Sequence, residues 1–192
     1  SWETFCANGA RCVVKFLYNK KIISNKIIFL AGDGLHTAII KNDNISIKMK
    51  KPKIIKEKLT VLGKEGYLID SGAKHFTIQV SNFNYTDVEN IGKKIRFSKC
   101  FEPEGVNVNF FEIIDKRNIK VWTYEKGIEK LMLSCGSGSV ASVYNAYLIE
   151  TIDFSINCKV LGGELNVKYD KSWDNVWLSG SATLLFESKI NY

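Results

Sequence analysis

Ser134-Cys135-Gly136-Ser137-Gly138-Ser139 is followed by Val140, Val143, Tyr144 and Tyr147, an apolar ladder at helical spacing. A lone cysteine therefore stands in a glycine-rich turn at the start of a helix. Backbone N–H groups at a helix start lack partners within the helix, so such a turn favours anions and thiolates. The device recurs near the front of the chain. Cys6-Ala7-Asn8-Gly9 precedes Ala10, Val13, Val14 and Leu17, the same ladder. Two copies in two separate halves lead to one expectation: Cys6 and Cys135 face each other across a cleft as an acid and base pair.

The remaining composition narrows the setting. The 192 residues, 45% hydrophobic and 24% charged, are enough for one large or two small globular domains. No apolar run approaches the ~18 residues of a membrane span, and no signal-like start is present. The chain opens at Ser1 without Met, with Cys6 close behind, which reads as a fragment or a trimmed front. The net charge of +7 comes from lysines scattered through an Ile-, Asn- and Lys-rich sequence. Only Lys48 to Lys58 is dense, and it lacks aromatic interleaving, so no nucleic-acid partner is expected. Five widely spaced cysteines with no Cys-x-x-Cys argue against a disulfide framework and for a reducing compartment. With His36 and His75 the only histidines, no structural zinc is expected.

Along the chain, residues 6–18 read as turn and helix. Strands are expected at 27–30, 35–41 and 45–49, and a connection at 50–53. Further strands are placed at 68–71 and 76–80, around the loop Gly72-Ala73-Lys74-His75. A short helix through Val88, Ile91 and Ile95 is to be capped by a box at Thr86-Asp87-Val88-Glu89. Strand 119–124, the Cys135 helix, a hairpin 158–169 and closing strands 176–178 and 182–186 follow. Mostly strands with one long helix per half means α+β halves, each curling a sheet around a helix.

Each candidate has a bland alternative. Cys135 could be a buried structural thiol, but Gly136 and Gly138 mark a close backbone approach and the helix start lowers a thiol pKa from about 8.5. Cys12 reads as structural, on the side of the packing face. His75 is either a satisfied core or surface histidine or a group that takes or orients a proton. Glu125 is a solvated strand end or an orienting carboxylate. Asn8 and Asn107 are turn residues or amides on a polar substrate. His36 reads as structural.

Five stretches occur in the order found in diaminopimelate epimerases. They are Cys6-Ala7-Asn8-Gly9-Ala10-Arg11-Cys12, Ser71-Gly72-Ala73-Lys74-His75, Gly105-Val106-Asn107-Val108-Asn109-Phe110, Thr123-Tyr124-Glu125-Lys126-Gly127 and Ser134-Cys135-Gly136-Ser137-Gly138. The closing Leu178-Ser179-Gly180-Ser181-Ala182 with Phe186-Glu187 also resembles that family, so the resemblance spans essentially the whole chain. It implies two pseudo-symmetric halves, 1–52 with 183–192 and 53–182, the first incomplete, with the site between them. It also implies that a last strand near 183–192 returns to the first half.

By the same resemblance Cys6 and Cys135 are catalytic and His75 and Glu125 assist. Ala7, Asn8, Asn107, Glu125, Lys126, Gly136 and Ser137 meet the substrate. Neither cofactor nor metal is implied, and a homodimer is left open. Three departures bear on substrate choice. Ala7 stands where the family usually has Gly, and Ala73 and Lys74 stand where it has Asn or Ser and then Pro. Lys126 stands where Arg is usual, keeping the charge without the planar fork that grips a carboxylate.

The implied chemistry is inversion of an amino acid's α-carbon without pyridoxal phosphate. It needs a base on one face, an acid on the other, and helix starts that steady charge flowing into the carboxylate. The first expectation is therefore a cytoplasmic bacterial diaminopimelate epimerase on the lysine and cell-wall precursor route. A racemase of another amino acid, an inactive or binding relative on the same scaffold, and a hydrolase using Cys135 with His75 are the alternatives. The last leaves the Cys6 turn unexplained.

Overall fold

A computed structural model describes residues 5–188. Helix α1 (Ala7–Asn19) opens the chain, followed by strands β1 (Lys26–Ala31), β2 (Gly34–Lys41), β3 (Asn44–Met49), β4 (Lys53–Val61), β5 (Lys64–Asp70) and β6 (Lys74–Gln79). Helix α2 (Tyr85–Arg96) leads to β7 (Asn107–Asp115), β8 (Asn118–Glu125) and β9 (Lys130–Met132). Helix α3 (Gly136–Ile149) then precedes β10 (Ser155–Val160), β11 (Gly163–Lys168) and β12 (Val176–Ser181).

The strands form one curled, unclosed sheet in the order β1-β2-β3-β12-β11-β10-β8-β7-β6-β5-β4, with β9 on β8. All pairings are antiparallel except β10 with β8 and β6 with β7. The seam that joins the front of the chain to the rest is β3 with β12, where Ile47 faces Leu178 and Ser46 Oγ lies 2.7 Å from Ser179 Oγ. One apolar cluster gathers α1, α3 and the strands around that seam; a second gathers α2 against β6, β7 and β8.

The two long helices differ for reasons visible in their residues. Helix α3 carries no charged side chain, and Val140, Ala141, Val143 and Ala146 are fully buried. Helix α1 is amphipathic: Ala7 and Val14 face the core while Val13 and Phe16 are exposed.

Several expectations are corrected. Helix α2 begins at Tyr85 and its cap is Asn84, whose side chain accepts the Asp87 N–H at 3.1 Å, rather than a box starting at Thr86. Residues 182–186 form no strand; the chain there runs beside α1, where Lys20 pairs with Glu187 at 2.8 Å. The last part of the expected returning strand, 189–192, lies outside the described residues.

Strands β4, β7 and β9 went unread. β4 ends the sheet, most of its residues are exposed on both faces, and it is bulged twice, so it shows no alternation. β7 is buried on both faces from Val108 to Phe111, which also erases the period-two signal. The lysine-rich stretch has a local role: Lys50 and Lys51 pair with Asp33 and Asp174, and β4 presents lysines along an end strand, which discourages pairing with other chains. Among the described residues no helix is long and apolar enough to cross a membrane.

Candidate active site

The two cysteine turns meet. Cys6 and Cys135 each occupy the residue before a helix, with extended backbone at φ −102° and −134°. Their successors pack together: a Cβ on Gly136 would stand 2.8 Å from the Ala7 Cβ and 2.6 Å from Leu178 Cδ2, so only glycine fits there. Asn8 bridges the turns, its Nδ2 donating to the Ser134 carbonyl at 3.1 Å. Cys6 Sγ accepts the Gly9 N–H at 3.4 Å. Both helix starts, with N–H groups that have no acceptor inside their own helix, open on one cavity of about 630 Å³. Cys6 is exposed in it and Cys135 half-buried.

The cavity is lined by every residue the sequence singled out for a site except His75: Cys6, Ala7, Asn8, Asn107, Glu125, Lys126, Cys135, Gly136 and Ser137. His75 is fully buried behind it and does not line the cavity. Its Nδ1 lies 2.7 Å from Asn109 Oδ1 and its Nε2 2.9 Å from Ser137 Oγ. Asn109 Nδ2 in turn donates to Thr123 Oγ1 at 2.7 Å. With the Asn109 oxygen toward the ring, Nδ1 carries the hydrogen and Nε2 accepts from the Ser137 hydroxyl. The Ser137 oxygen is then free to accept from the Cys135 thiol, 3.6 Å away. Burial brings the His75 pKa down to about 4, so the ring is neutral at pH 7.

Burial pushes the Cys135 thiol up to about 11, and a Ser137 hydroxyl committed to His75 cannot donate to a thiolate. Cys135 is thus held as the thiol at neutral pH. Burial also raises the Glu125 carboxyl above its ordinary range. Asn107 is committed like Asn8: Nδ2 donates to the Lys74 carbonyl at 3.2 Å, and Oδ1 accepts the Lys126 N–H at 2.9 Å. Lys126 Nζ rests on the Glu104 carbonyl at 3.0 Å, and Lys74 pairs with the Glu104 carboxylate, whose pKa it lowers.

Sequence reasoning missed Asn109 and Thr123, which orient His75, and Ser71, whose buried hydroxyl donates to the Ser137 carbonyl at 2.8 Å. For Asn109 and Thr123 the available signal was a polar residue set among buried apolar neighbours in β7 and β8; Ser71, just after β5, gave none. Asp70 and Glu104, also on the cavity, carried none. Cys12 is exposed rather than packed. His36 stays structural, between Asp33 Oδ1 at 2.8 Å and the Lys48 carbonyl at 3.0 Å. A larger hollow of about 910 Å³ lies near Arg117, but that side chain already pairs with Asp153 and neither a cysteine nor a histidine lines it. Among the described residues no three His, Cys, Asp or Glu side chains gather as metal ligands.

Comparison with known proteins identifies what the chain is similar to. Residues 67–185 match the family described as "Diaminopimelate epimerase". The chain is 34% identical over 206 residues to the diaminopimelate epimerase of Aquifex aeolicus, covering 99% of this chain and 74% of that one. It is 34% identical over 193 residues to that of Flavobacterium psychrophilum, covering 98% and 73%. Among solved structures, a probable proline racemase from Agrobacterium radiobacter K84 superposes with a TM-score of 0.73 at 14% identity, covering 98% of this chain and 68% of that one. A phenazine biosynthesis protein of the PhzF family from Enterococcus faecalis gives 0.70 at 15%, covering 95% and 72%. At those identities the structural likeness speaks to the fold alone.

Proposed function

We propose, for a chain that belongs to the diaminopimelate epimerase family, that inversion of the substrate's α-carbon is carried out between Cys6 and Cys135. The protein is an isomerase, a diaminopimelate epimerase. The observation that carries the mechanism is that each cysteine precedes a helix and both face the same cavity. One sulfur takes the α-proton as the other supplies one from the opposite side, which inverts the carbon. Cys135, whose thiol burial keeps protonated, is the acid of the resting site, and Cys6 the base for the isomer whose α-hydrogen faces it.

Negative charge flows into the α-carboxylate during the transfer. The first-turn N–H groups of α1 and α3 steady it, a type of contact worth ~3 kcal/mol per donor in other enzymes. Ser137 and His75 orient the Cys135 thiol. Glu125 lies on the same cavity beside Cys135, and Lys126 supplies positive charge at its rim. The substrate is LL-diaminopimelate and the product its meso form, as in lysine and peptidoglycan precursor synthesis. No pyridoxal phosphate is required, because the helix starts do the work of the electron sink. The cytoplasm fits five free cysteines. Of the described residues, 5–52 with 183–188 would make one half and 53–182 the other, with Ala7 against Gly136 where they meet.

Chiral chromatography tests the reading: incubation with LL-diaminopimelate should yield the meso form without added cofactor. A panel of other amino acids separates this reading from a racemase of different substrate, which the lysine at position 126 motivates.

A further inference from the structure

Arg11 is buried, 6% exposed, beneath the two cysteine turns, and the chemistry above gives it no task. Its Nη2 donates to Asn8 Oδ1 at 2.8 Å, and the other end of that amide holds the Ser134 carbonyl, next to Cys135. Nη1 reaches the Ala7 carbonyl only at 3.5 Å. Nε has no acceptor among the described residues, nor does any described carboxylate lie within 4.0 Å of the guanidinium. Gly180 makes the room: a Cβ there would stand 3.2 Å from Nε. A buried cation without a partner carries an uncompensated desolvation cost. Burial lowers the Arg11 pKa, and negative charge on Cys12 and Cys6 opposes that. Of those two sulfurs, only Cys6 lines the cavity.

We infer that Arg11 is a positioning residue of the cysteine site, holding the Asn8 amide between the two turns and supplying the fixed positive charge that a thiolate on Cys6 balances. This rests on the two-cysteine reading above. With no carboxylate among the described residues within 4.0 Å, the guanidinium can balance a charge that exists only when the base is armed. Through Asn8 the same group fixes how far Cys6 stands from Cys135.

The test compares Arg11→Lys, Arg11→Gln and Arg11→Met in the full chain. Lysine keeps the charge; glutamine keeps a donor toward Asn8 without it. Iodoacetamide alkylation of Cys6 at neutral pH, followed by peptide mass spectrometry, should slow about fivefold in the Gln and Met variants and stay within about twofold in the Lys variant. In the Met variant kcat should fall roughly tenfold or more, with KM changed less than about threefold. Equal alkylation rates for the Lys and Gln variants overturn the inference, as does a Met variant with unchanged kcat. Should the Met variant not fold, the Lys and Gln pair decides. An unsubstituted protein that epimerises nothing overturns the functional reading instead, and the alkylation comparison still judges Arg11.

Discussion

Ala7 and Gly136 are in contact, the first residue of one helix against the first residue of the other, with 2.8 Å between the Ala7 Cβ and the place where a Gly136 Cβ would be. That contact sets how close the two cysteine turns come. Gly136→Ala should push them apart. Overpacking of this kind costs about 1–3 kcal/mol, and a displacement of about 1 Å at a reacting site can cost 10²-fold in rate. The expected result is a modest drop in melting temperature with a far larger drop in kcat. Ala7→Gly should leave kcat nearly unchanged.

Lys126 holds its charge at the cavity rim through the Glu104 carbonyl and touches neither cysteine in the proposed scheme. In that scheme it contributes binding that is equal in ground and transition states. Steady-state kinetics of Lys126→Ala should show KM raised roughly tenfold and kcat within about threefold.

His75 gives a pH signature. Its folded pKa, about 4, lies below the ordinary 6.5, so between those values the unfolded chain binds the extra proton. Stability from burying the neutral ring is complete above pH 6.5 and is lost as pH falls through 4. The size is on the order of 3 kcal/mol. Chemical denaturation of the protein and of His75→Gln, across pH 4 to 7, should show a shallower fall for the variant, since carboxylates titrate in both.

Cys135 should be the slower of the two cavity cysteines to alkylate at neutral pH. With a thiol pKa near 11, its thiolate is about one part in 10⁴ at pH 7. Between pH 8 and 10 its rate should rise about tenfold per pH unit. Peptide mapping resolves it from the exposed Cys6, Cys12 and Cys100.

What could be read from the residues alone was whatever repeats or punctuates. The two Cys turns were legible because small residues before an apolar ladder have few other uses, and the β1–β3 run because its faces alternate. Strands β4 and β7 were not. β4 is wet on both sides and β7 dry on both sides, so neither has a period to find. His75 could be flagged but not placed: its value as a thiol's neighbour depends on Ser137 standing between, 62 residues away in sequence. The Arg11–Asn8–Ser134 bridge was hidden for the same reason, because one end of it is 126 residues distant.

The most direct test of a two-sided proton transfer is incorporation of deuterium at the α-carbon of diaminopimelate in deuterated water, by the unsubstituted chain and by Cys6→Ala and Cys135→Ala. The account predicts that the epimerised product of the unsubstituted chain carries one solvent deuterium at the inverted carbon, and that removing either sulfur lowers the inversion rate by roughly 10³-fold. Inversion at an undiminished rate in either variant, or product that retains its original hydrogen, would contradict it.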